Sequence, residues 1–349
     1  MATVRAVRYD AYGATPCVVD VPDPVCPPDG AVVEIRATGV CRSDWHAWQG
    51  HDPVPLPMVP GHELAGVVVE VGPEVTTRHV GERVTVPFVC GCGRCAWCAG
   101  GDAQVCPDQQ QPGFTMPGSF AERVALPAAD LNLVVLPDAI GFVAAASLGC
   151  RFATAFRALT AHGQVAPGRH VVVHGCGGVG LSAVLLAKAL GAHVVAVDLS
   201  PAARDLARDL GADVVVAAGP DAVRRVHEAT DGGAHVSLDA VGSSATAVAS
   251  VDSLRPRGRH VQVGLLLGEH AAPPLPMGAV VAKELSIHGS HGMAARDYPA
   301  MLDLVSSGAV DPLRLVGRTI PLADAGHALA AMSAPAAGAG MTVVDLDLA

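Results

Sequence analysis

The sequence predicts an α/β protein of two domains, a β-rich amino-terminal one and a doubly wound parallel sheet. Three observations predict it. The 349 residues exceed the roughly 250–300 at which a single hydrophobic core stops growing. Residues 1–90 carry short alternating runs, such as Ala31-Val32-Val33-Glu34-Ile35 and Leu64 to Val71, separated by Pro, Gly and Asp turns. From His170 onward, apolar strand-like runs alternate with helical segments, the pattern that parallel strands with crossover helices require. With 50% of residues apolar, two cores can be filled.

The composition excludes some partners. The net charge is −10, from 23 basic against 33 acidic residues, and the sequence shows no concentrated basic patch, so nucleic acid is not an expected partner. Pro137, Asp138, Lys188 and scattered glycines interrupt every apolar stretch before the ~18 residues a membrane helix needs. The start, Met-Ala-Thr-Val-Arg-Ala-Val-Arg-Tyr-Asp, lacks the apolar block of a signal peptide. A soluble cytoplasmic protein is expected. In such a chain the 10 cysteines point to metal ligation before disulfides.

In the β-rich part, Gly39-Val40-Cys41-Arg42-Ser43-Asp44-Trp45-His46 is followed by Gly61-His62-Glu63 and, much later, by Leu148-Gly149-Cys150. Pro53, Pro55, Pro57 and Pro60 hold the connection between the first two stretches extended. Taken singly, Cys41 reads as a small buried hydrophobe and His62 as a satisfied histidine. Two thiolates and an imidazole together make a three-ligand zinc site with one tetrahedral position open.

Cys92, Cys95, Cys98 and Cys106 have a different character, since four thiolates close a tetrahedron and make a structural zinc site. An iron–sulfur cluster stays open, because Pro107 follows the last cysteine. Cys90 in place of Cys92 is a second register. A small-residue helical run, Phe142 to Leu148, delivers Cys150. Trp48, Phe88, Phe120 and Trp45 lie near ligands in sequence and are candidate pocket walls, with core packing as the alternative for each.

The strand His170 to His174 runs into Gly175-Cys176-Gly177-Gly178-Val179-Gly180 and then a helix from Leu181 to Leu190. With a strand before and a helix after, these glycines form a dinucleotide fingerprint: Gly175 for the turn, Gly177 for close approach of pyrophosphate, Gly180 for packing of helix on strand. The helix amino terminus offers backbone donors to phosphate. A second strand, His193 to Asp198, ends in the acid that would grip a ribose 2′-hydroxyl, which favours NAD over NADP, although Arg204 nearby softens the preference. Further strands are expected at Val214 to Ala217, His235 to Ala240, His260 to Gly264 and Leu285 to Gly289. Val241, Val263 and Gly264, at the ends of two of them, are taken as further cofactor contacts.

The Cys-x-Ser-Asp-x-His run, the Gly-His-Glu triplet, the four-cysteine cluster and the glycine fingerprint, in this order, resemble the zinc-dependent alcohol dehydrogenases of the medium-chain dehydrogenase/reductase superfamily. The likeness covers nearly the whole chain. It implies a discontinuous GroES-like catalytic domain of residues 1–150 and 291–349 around a Rossmann domain of residues 151–290. It also implies that Asp44 orients His62, that Glu63 lies behind the metal, that Ser43 takes the alcohol proton and passes it toward His46, and that Arg42 contacts the cofactor pyrophosphate. Many relatives carry an arginine near the closing strand, where Gly340-Met341-Thr342 offers none.

The resemblance thus implies reversible hydride transfer between a primary or secondary alcohol and NAD, with two zinc ions per chain and a homodimer or homotetramer. A polyol dehydrogenase is the nearest alternative, though its zinc commonly has a carboxylate where Cys150 stands. The zinc-free quinone or enoyl reductase branch has no need of Cys41, His62 and Cys150. A zinc-ribbon binding protein built on the 92–106 cluster is the alternative from another class, disfavoured by the acidity of the chain.

Overall fold

Strand-forming runs bounded by Pro and Gly give seven strands before residue 140: β1 (Thr3–Arg8), β2 (Cys17–Pro22), β3 (Ala31–Val40), β4 (Glu63–Val71), β5 (Arg83–Thr85), β6 (Arg123–Leu126) and β7 (Val134–Val135). Six follow in the middle of the chain: β8 (His170–His174), β9 (His193–Asp198), β10 (Val214–Ala217), β11 (Ala234–Asp239), β12 (Leu254–Gln262) and β13 (Ser286–Gly289). β14 (Val316–Ile320) and β15 (Met341–Asp345) close the chain. This computed structural model describes residues 2–334 and 339–348. It divides into two units, one running to Ala153 and resuming at Gly292, the other spanning Thr154–His291.

In the first unit one sheet has the order β14-β15-β3-β4-β5-β7, with β6 also paired to β3, and β1 pairs with β2 in a separate ribbon. β3 is central and is almost entirely buried. It runs antiparallel to β4 with Gly39 opposite Glu63, through two bulges that bend the pair. One apolar core gathers Val33, Ile35, Leu64, Val68 and Leu126, and a second gathers Tyr9, Trp48, Phe120 and Leu329.

The second unit is an all-parallel sheet in the order β10-β9-β8-β11-β12-β13. In order of first appearance this is 3-2-1-4-5-6, the doubly wound arrangement that binds dinucleotides beyond the carboxyl ends of its strands. Its central strands are continuous apolar runs, because helices cover both faces; Val171, Val172 and Val173 are fully buried. The helix Gly178–Ala189 is apolar nearly all round and correspondingly buried.

Two elements differ from the sequence-based reading. β12 runs from Leu254 to Gln262, whereas the strand was expected at His260 to Gly264, and it takes in the Arg-Pro-Arg-Gly-Arg segment. Its register against β11 jumps from Ala234↔Leu254 to Val236↔Arg259, so the Pro/Gly segment is accommodated as a bulge inside the strand. The helix leading to Cys150 is α-helical only over Phe142–Ala146 and continues as a π-helical stretch, Leu148–Phe152. Such a widened turn is invisible to a 3.6-residue periodicity.

Candidate metal centre and nucleotide-binding edge

The ladder that pairs Gly39 with Glu63 brings the first two candidate ligands together. Cys41 follows the end of β3 and His62 precedes the start of β4, so both extend past the same end of an antiparallel pair. The third arrives on the π-helical stretch, where a Cβ on Gly149 would lie 3.2 Å from the Glu63 Cα, so the glycine permits close packing against β4. The Tyr298 hydroxyl donates to the Gly149 carbonyl at 3.1 Å. As a result one Sγ of Cys41, one ring nitrogen of His62 and the Sγ of Cys150 lie within 4.8 Å of one another. Among the described residues no fourth Cys, His, Asp or Glu joins this group.

Asp44 organises the group from behind. Its Oδ1 accepts from His62 Nδ1 at 2.8 Å and from the Gly61 N–H at 3.0 Å, and its Oδ2 accepts from the Cys41 N–H at 3.0 Å. Nδ1 is therefore the protonated nitrogen, and Nε2 is buried without a hydrogen-bond partner. A buried nitrogen left in this state is costly unless something else satisfies it, and a metal ion held jointly with two thiolates does so. The residues present fit zinc in that respect.

The three groups bias one another's protonation, and beside Cys41 and under burial the Cys150 thiol is raised well above the usual range. The Cys150 thiol beside it, then His62 and Arg151 against the effect of burial, holds Cys41 well below the usual thiol range. Burial lowers the His62 pKa, but Asp44 and Cys41 outweigh it and the net direction is upward.

Glu63 is fully buried and forms an ion pair with Arg151, whose backbone N–H and Nε both donate to Glu63 Oε1 at 3.0 Å. Burial raises the Glu63 pKa, with Arg151 opposing. Arg151 was not singled out from the sequence. Its signal was a lone cation in the otherwise apolar run Ala-Ala-Ala-Ser-Leu-Gly-Cys-Arg-Phe, which needs a buried acid to accompany it.

Arg42, Ser43, Asp44 and His46 lie on the short helix Arg42–Trp48. Ser43 is partly exposed, and its hydroxyl has no protein partner among the described residues. His46 Nδ1 lies 3.2 Å from His51 Nδ1, and burial, His51 and Arg42 lower its pKa. Arg42 donates to the Met332 carbonyl at 2.6 Å and stacks over Trp45.

The aromatic candidates divide. Trp48 and Phe120 are core residues, the former tied by its indole N–H to the Ala14 carbonyl at 2.7 Å. Rings so covered by core present no wall to a ligand. Phe88 does face His62, with ring centroids 6.0 Å apart, as does Phe114 at 5.3 Å, a residue that a Pro/Gly-rich loop concealed in the sequence.

Cys92, Cys95, Cys98 and Cys106 form a second group within 4.8 Å. Backbone N–H groups point at its sulfurs, Cys92 N to Cys106 Sγ and Cys98 N to Cys95 Sγ, both at 3.4 Å. Cys90 stands outside it: fully buried, with its thiol directed at the Pro87 carbonyl, it is pushed up to about 12 by burial alone.

On the parallel sheet, Gly175 sits at φ +93° with its N–H on the Val197 carbonyl at 2.7 Å. A Cβ on Gly180 would collide with the Gly175 carbonyl oxygen, so turn and helix pack as only glycine allows. Gly177 caps the helix that begins with Gly178 and Val179, and nothing lies within 4 Å of a Cβ built on it. Asp198, at the end of β9, accepts from the Cys176 N–H at 2.6 Å and the Ser200 N–H at 2.7 Å. Arg204 lies beside it, donating to the Asp198 and Leu199 carbonyls at 2.8 Å each.

The loops after β11 and β12 share one buried carboxylate. Asp239 accepts from the N–H groups of Val241 and Gly242 and from Gln262 Nε2, while its carbonyl accepts from Val263 and Gly264. It was not singled out from the sequence, where an acid closing the run Ala-His-Val-Ser-Leu-Asp was the available sign.

A doubly wound sheet with this fingerprint, in a chain that also carries a Cys₂His group and a Cys₄ group, defines a metal-dependent oxidoreductase architecture. Comparison with known proteins narrows it. The alcohol dehydrogenase GroES-like domain matches residues 27–138 and the zinc-binding dehydrogenase domain matches residues 178–307. An alcohol dehydrogenase of Geobacillus stearothermophilus is 38% identical over 282 residues, 80% of this chain and 82% of that one. The alcohol dehydrogenase of Thermus sp. ATN1 superposes with a TM-score of 0.89 at 31% identity, covering 98% and 99% of the two chains. A zinc-binding dehydrogenase structure from Sinorhizobium meliloti 1021, bound to NADP, has a TM-score of 0.88 at 28% identity over 99% and 100%. The chain belongs to the zinc-type alcohol dehydrogenase family of the medium-chain dehydrogenase/reductase superfamily. It is a zinc-binding oxidoreductase acting on small molecules, and no helix among its described residues is long and apolar enough to cross a membrane.

Proposed function

We propose that this protein oxidises primary or secondary alcohols reversibly with NAD, using one zinc ion held by Cys41, His62 and Cys150 and a second, structural one held by Cys92, Cys95, Cys98 and Cys106. The observation that carries the reading is the buried, unpartnered Nε2 of His62 within 4.8 Å of two cysteine sulfurs, with no fourth side-chain ligand among the described residues. Zinc, when bound there, supplies a Lewis acid that makes an alcohol hydroxyl acidic near neutral pH.

The chain's own residues do the rest. Asp44 fixes the tautomer and plane of His62, and the Glu63–Arg151 pair holds the π-helical stretch that carries Cys150. Ser43 Oγ, without another partner among the described residues, accepts the alcohol proton and gives up its own toward His46. With its pKa lowered, His46 is neutral and able to receive a proton, with His51 next to it. Phe88 and Phe114, whose rings flank His62, are apolar walls that exclude water.

Nucleotide binds at Gly175, Gly177, Gly178, Val179 and Gly180, with Asp198 at the ribose and Val241, Val263 and Gly264 lining the neighbouring loops. Asp198 supports NAD. A second reading, NADP, is favoured by Arg204, placed where a cation would accompany a 2′-phosphate. Arg42 is assigned to the pyrophosphate, and β13, the last strand of its sheet, has an edge suited to pairing in a homodimer or homotetramer.

A panel of alcohols followed by reduced-nucleotide absorbance, with NAD and NADP in parallel, tests the reading. Turnover with NAD at least about tenfold more efficient than with NADP is expected, since one misplaced charge costs at least ~1.4 kcal/mol. No turnover with either nucleotide contradicts it.

A further inference from the structure

The amino ends of the parallel strands lie opposite the edge that carries Gly175 and Asp198. A cavity of about 420 Å³ opens there, lined by Arg169, Arg255, Arg257, Arg259 and His235. Arg169 immediately precedes β8, His235 lies near the start of β11, and the other three sit at alternate positions of β12, on and around its bulge. Contrary to the expectation of no concentrated basic patch, Arg255, Arg257 and Arg259 already stand together in the sequence, and the fold brings Arg169 to them, because the Pro256-Arg257-Gly258 segment loops out of register beside it. Arg257 adopts φ +61°, a left-handed conformation uncommon outside glycine.

The charges are not neutralised within the protein. Arg255 lies 2.8 Å from His235 Nε2 and donates to the Asp231 carbonyl at 3.3 Å, and Arg259 meets the His162 carbonyl and His288 Nε2, both at 3.3 Å. All four partners are uncharged groups. Among the described residues none of the four guanidinium groups has a carboxylate ion pair. Four of only 23 basic residues in a chain of net charge −10 thus converge on one cavity without counter-ions.

We propose that this cavity is a binding site for a small phosphorylated anion, separate from the nucleotide-binding edge. Guanidinium forks present paired N–H donors that match phosphate oxygens bidentately, and several forks around one cavity favour a ligand with more than one anionic oxygen. The volume suits a small molecule. The net charge of −10 disfavours a polynucleotide. The positive field registers on His235, which burial first, and then Arg255, Arg169 and His170, hold down at about 4. Asp213 and Asp231 are the acidic groups whose charge reaches the adjoining His170. The proposal does not depend on the dehydrogenase reading.

Calorimetric titration of the whole chain with inorganic pyrophosphate, at about 150 mM ionic strength to screen non-specific attraction, tests it. The wild type is expected to bind, and the double variant Arg169→Ala/Arg257→Ala to bind roughly tenfold or more weakly, as loss of charged hydrogen bonds implies. Both side chains are exposed, so the variant should fold; should it melt early, Arg257→Gln alone serves for the comparison. Pyrophosphate at the Gly177 helix end would be insensitive to these changes. No binding by the wild type, or undiminished binding by the variant, overturns the site, and citrate bound as tightly as pyrophosphate overturns its phosphate character.

Discussion

Both oxygens of Asp44 are occupied within the protein, one by His62 Nδ1 and the Gly61 N–H, the other by the Cys41 N–H. One carboxylate therefore sets the orientation of two candidate ligands at once. Asp44→Asn puts an amide donor against a donor on at least one side, and zinc affinity at the Cys41 group is predicted to fall ~10–100-fold. Chelator competition should show one ion lost readily while the Cys₄ group keeps its own.

The Glu63–Arg151 pair makes a different prediction. Removing one partner, as in Arg151→Met, leaves a buried carboxylate and should destabilise by ~3–5 kcal/mol. Glu63→Gln/Arg151→Met should recover part of that in denaturant unfolding; equal or greater loss in the double variant argues against coupling.

His174, at the end of β8, is buried beside His260, and burial and then that neighbour depress its pKa to about 4. The unfolded chain takes up this proton near pH ~6.5 while the folded one resists until about 4. The folded state accordingly loses stability as pH falls across this interval, by ~3 kcal/mol in all, and above it the effect is absent. His174→Asn should flatten the stability–pH curve between those values.

The two structural departures that matter most belong to single elements. A π-helical stretch carries Cys150, and a bulge in β12 carries the arginine cavity. Neither was legible, because hydrophobic periodicity reports the regular part of an element, and both features insert residues into it. What was legible was regular: β8 and β9 follow from apolar runs bounded by turns, and the helix after Gly177 from the fingerprint. Gly180 marks where that regularity is sterically enforced. Gly180→Ala forces a Cβ against the Gly175 carbonyl, and a shift of the turn should cost ~1–3 kcal/mol of stability and weaken nucleotide binding in a fluorescence titration. Unchanged affinity would place the nucleotide elsewhere.

Across the molecule, the fold class was readable because two patterns, alternating strands and strand–helix alternation, occupy separate stretches of sequence. The metal groups differ in how far they could be read. Cys92 to Cys106 is local, and its spacing alone suggests a tetrahedron. Cys41 and His62 sit just past the ends of two paired strands and Cys150 on a distant helix, so their meeting depends on the β3–β4 register and on Gly149, which no spacing encodes. Arg151, Asp239 and Phe114 were missed because each acts through a neighbour brought near by folding.

The central claim is that Cys41, His62 and Cys150 hold a zinc ion with one position left for substrate. Zinc content and NAD-linked alcohol oxidation, measured together on the wild type and on Cys150→Ser, test it most directly. The wild type should hold about two zinc ions and turn over, and the variant about one, with the fold intact and oxidation abolished. Turnover retained in Cys150→Ser, with only the Cys₄ ion present, would contradict it.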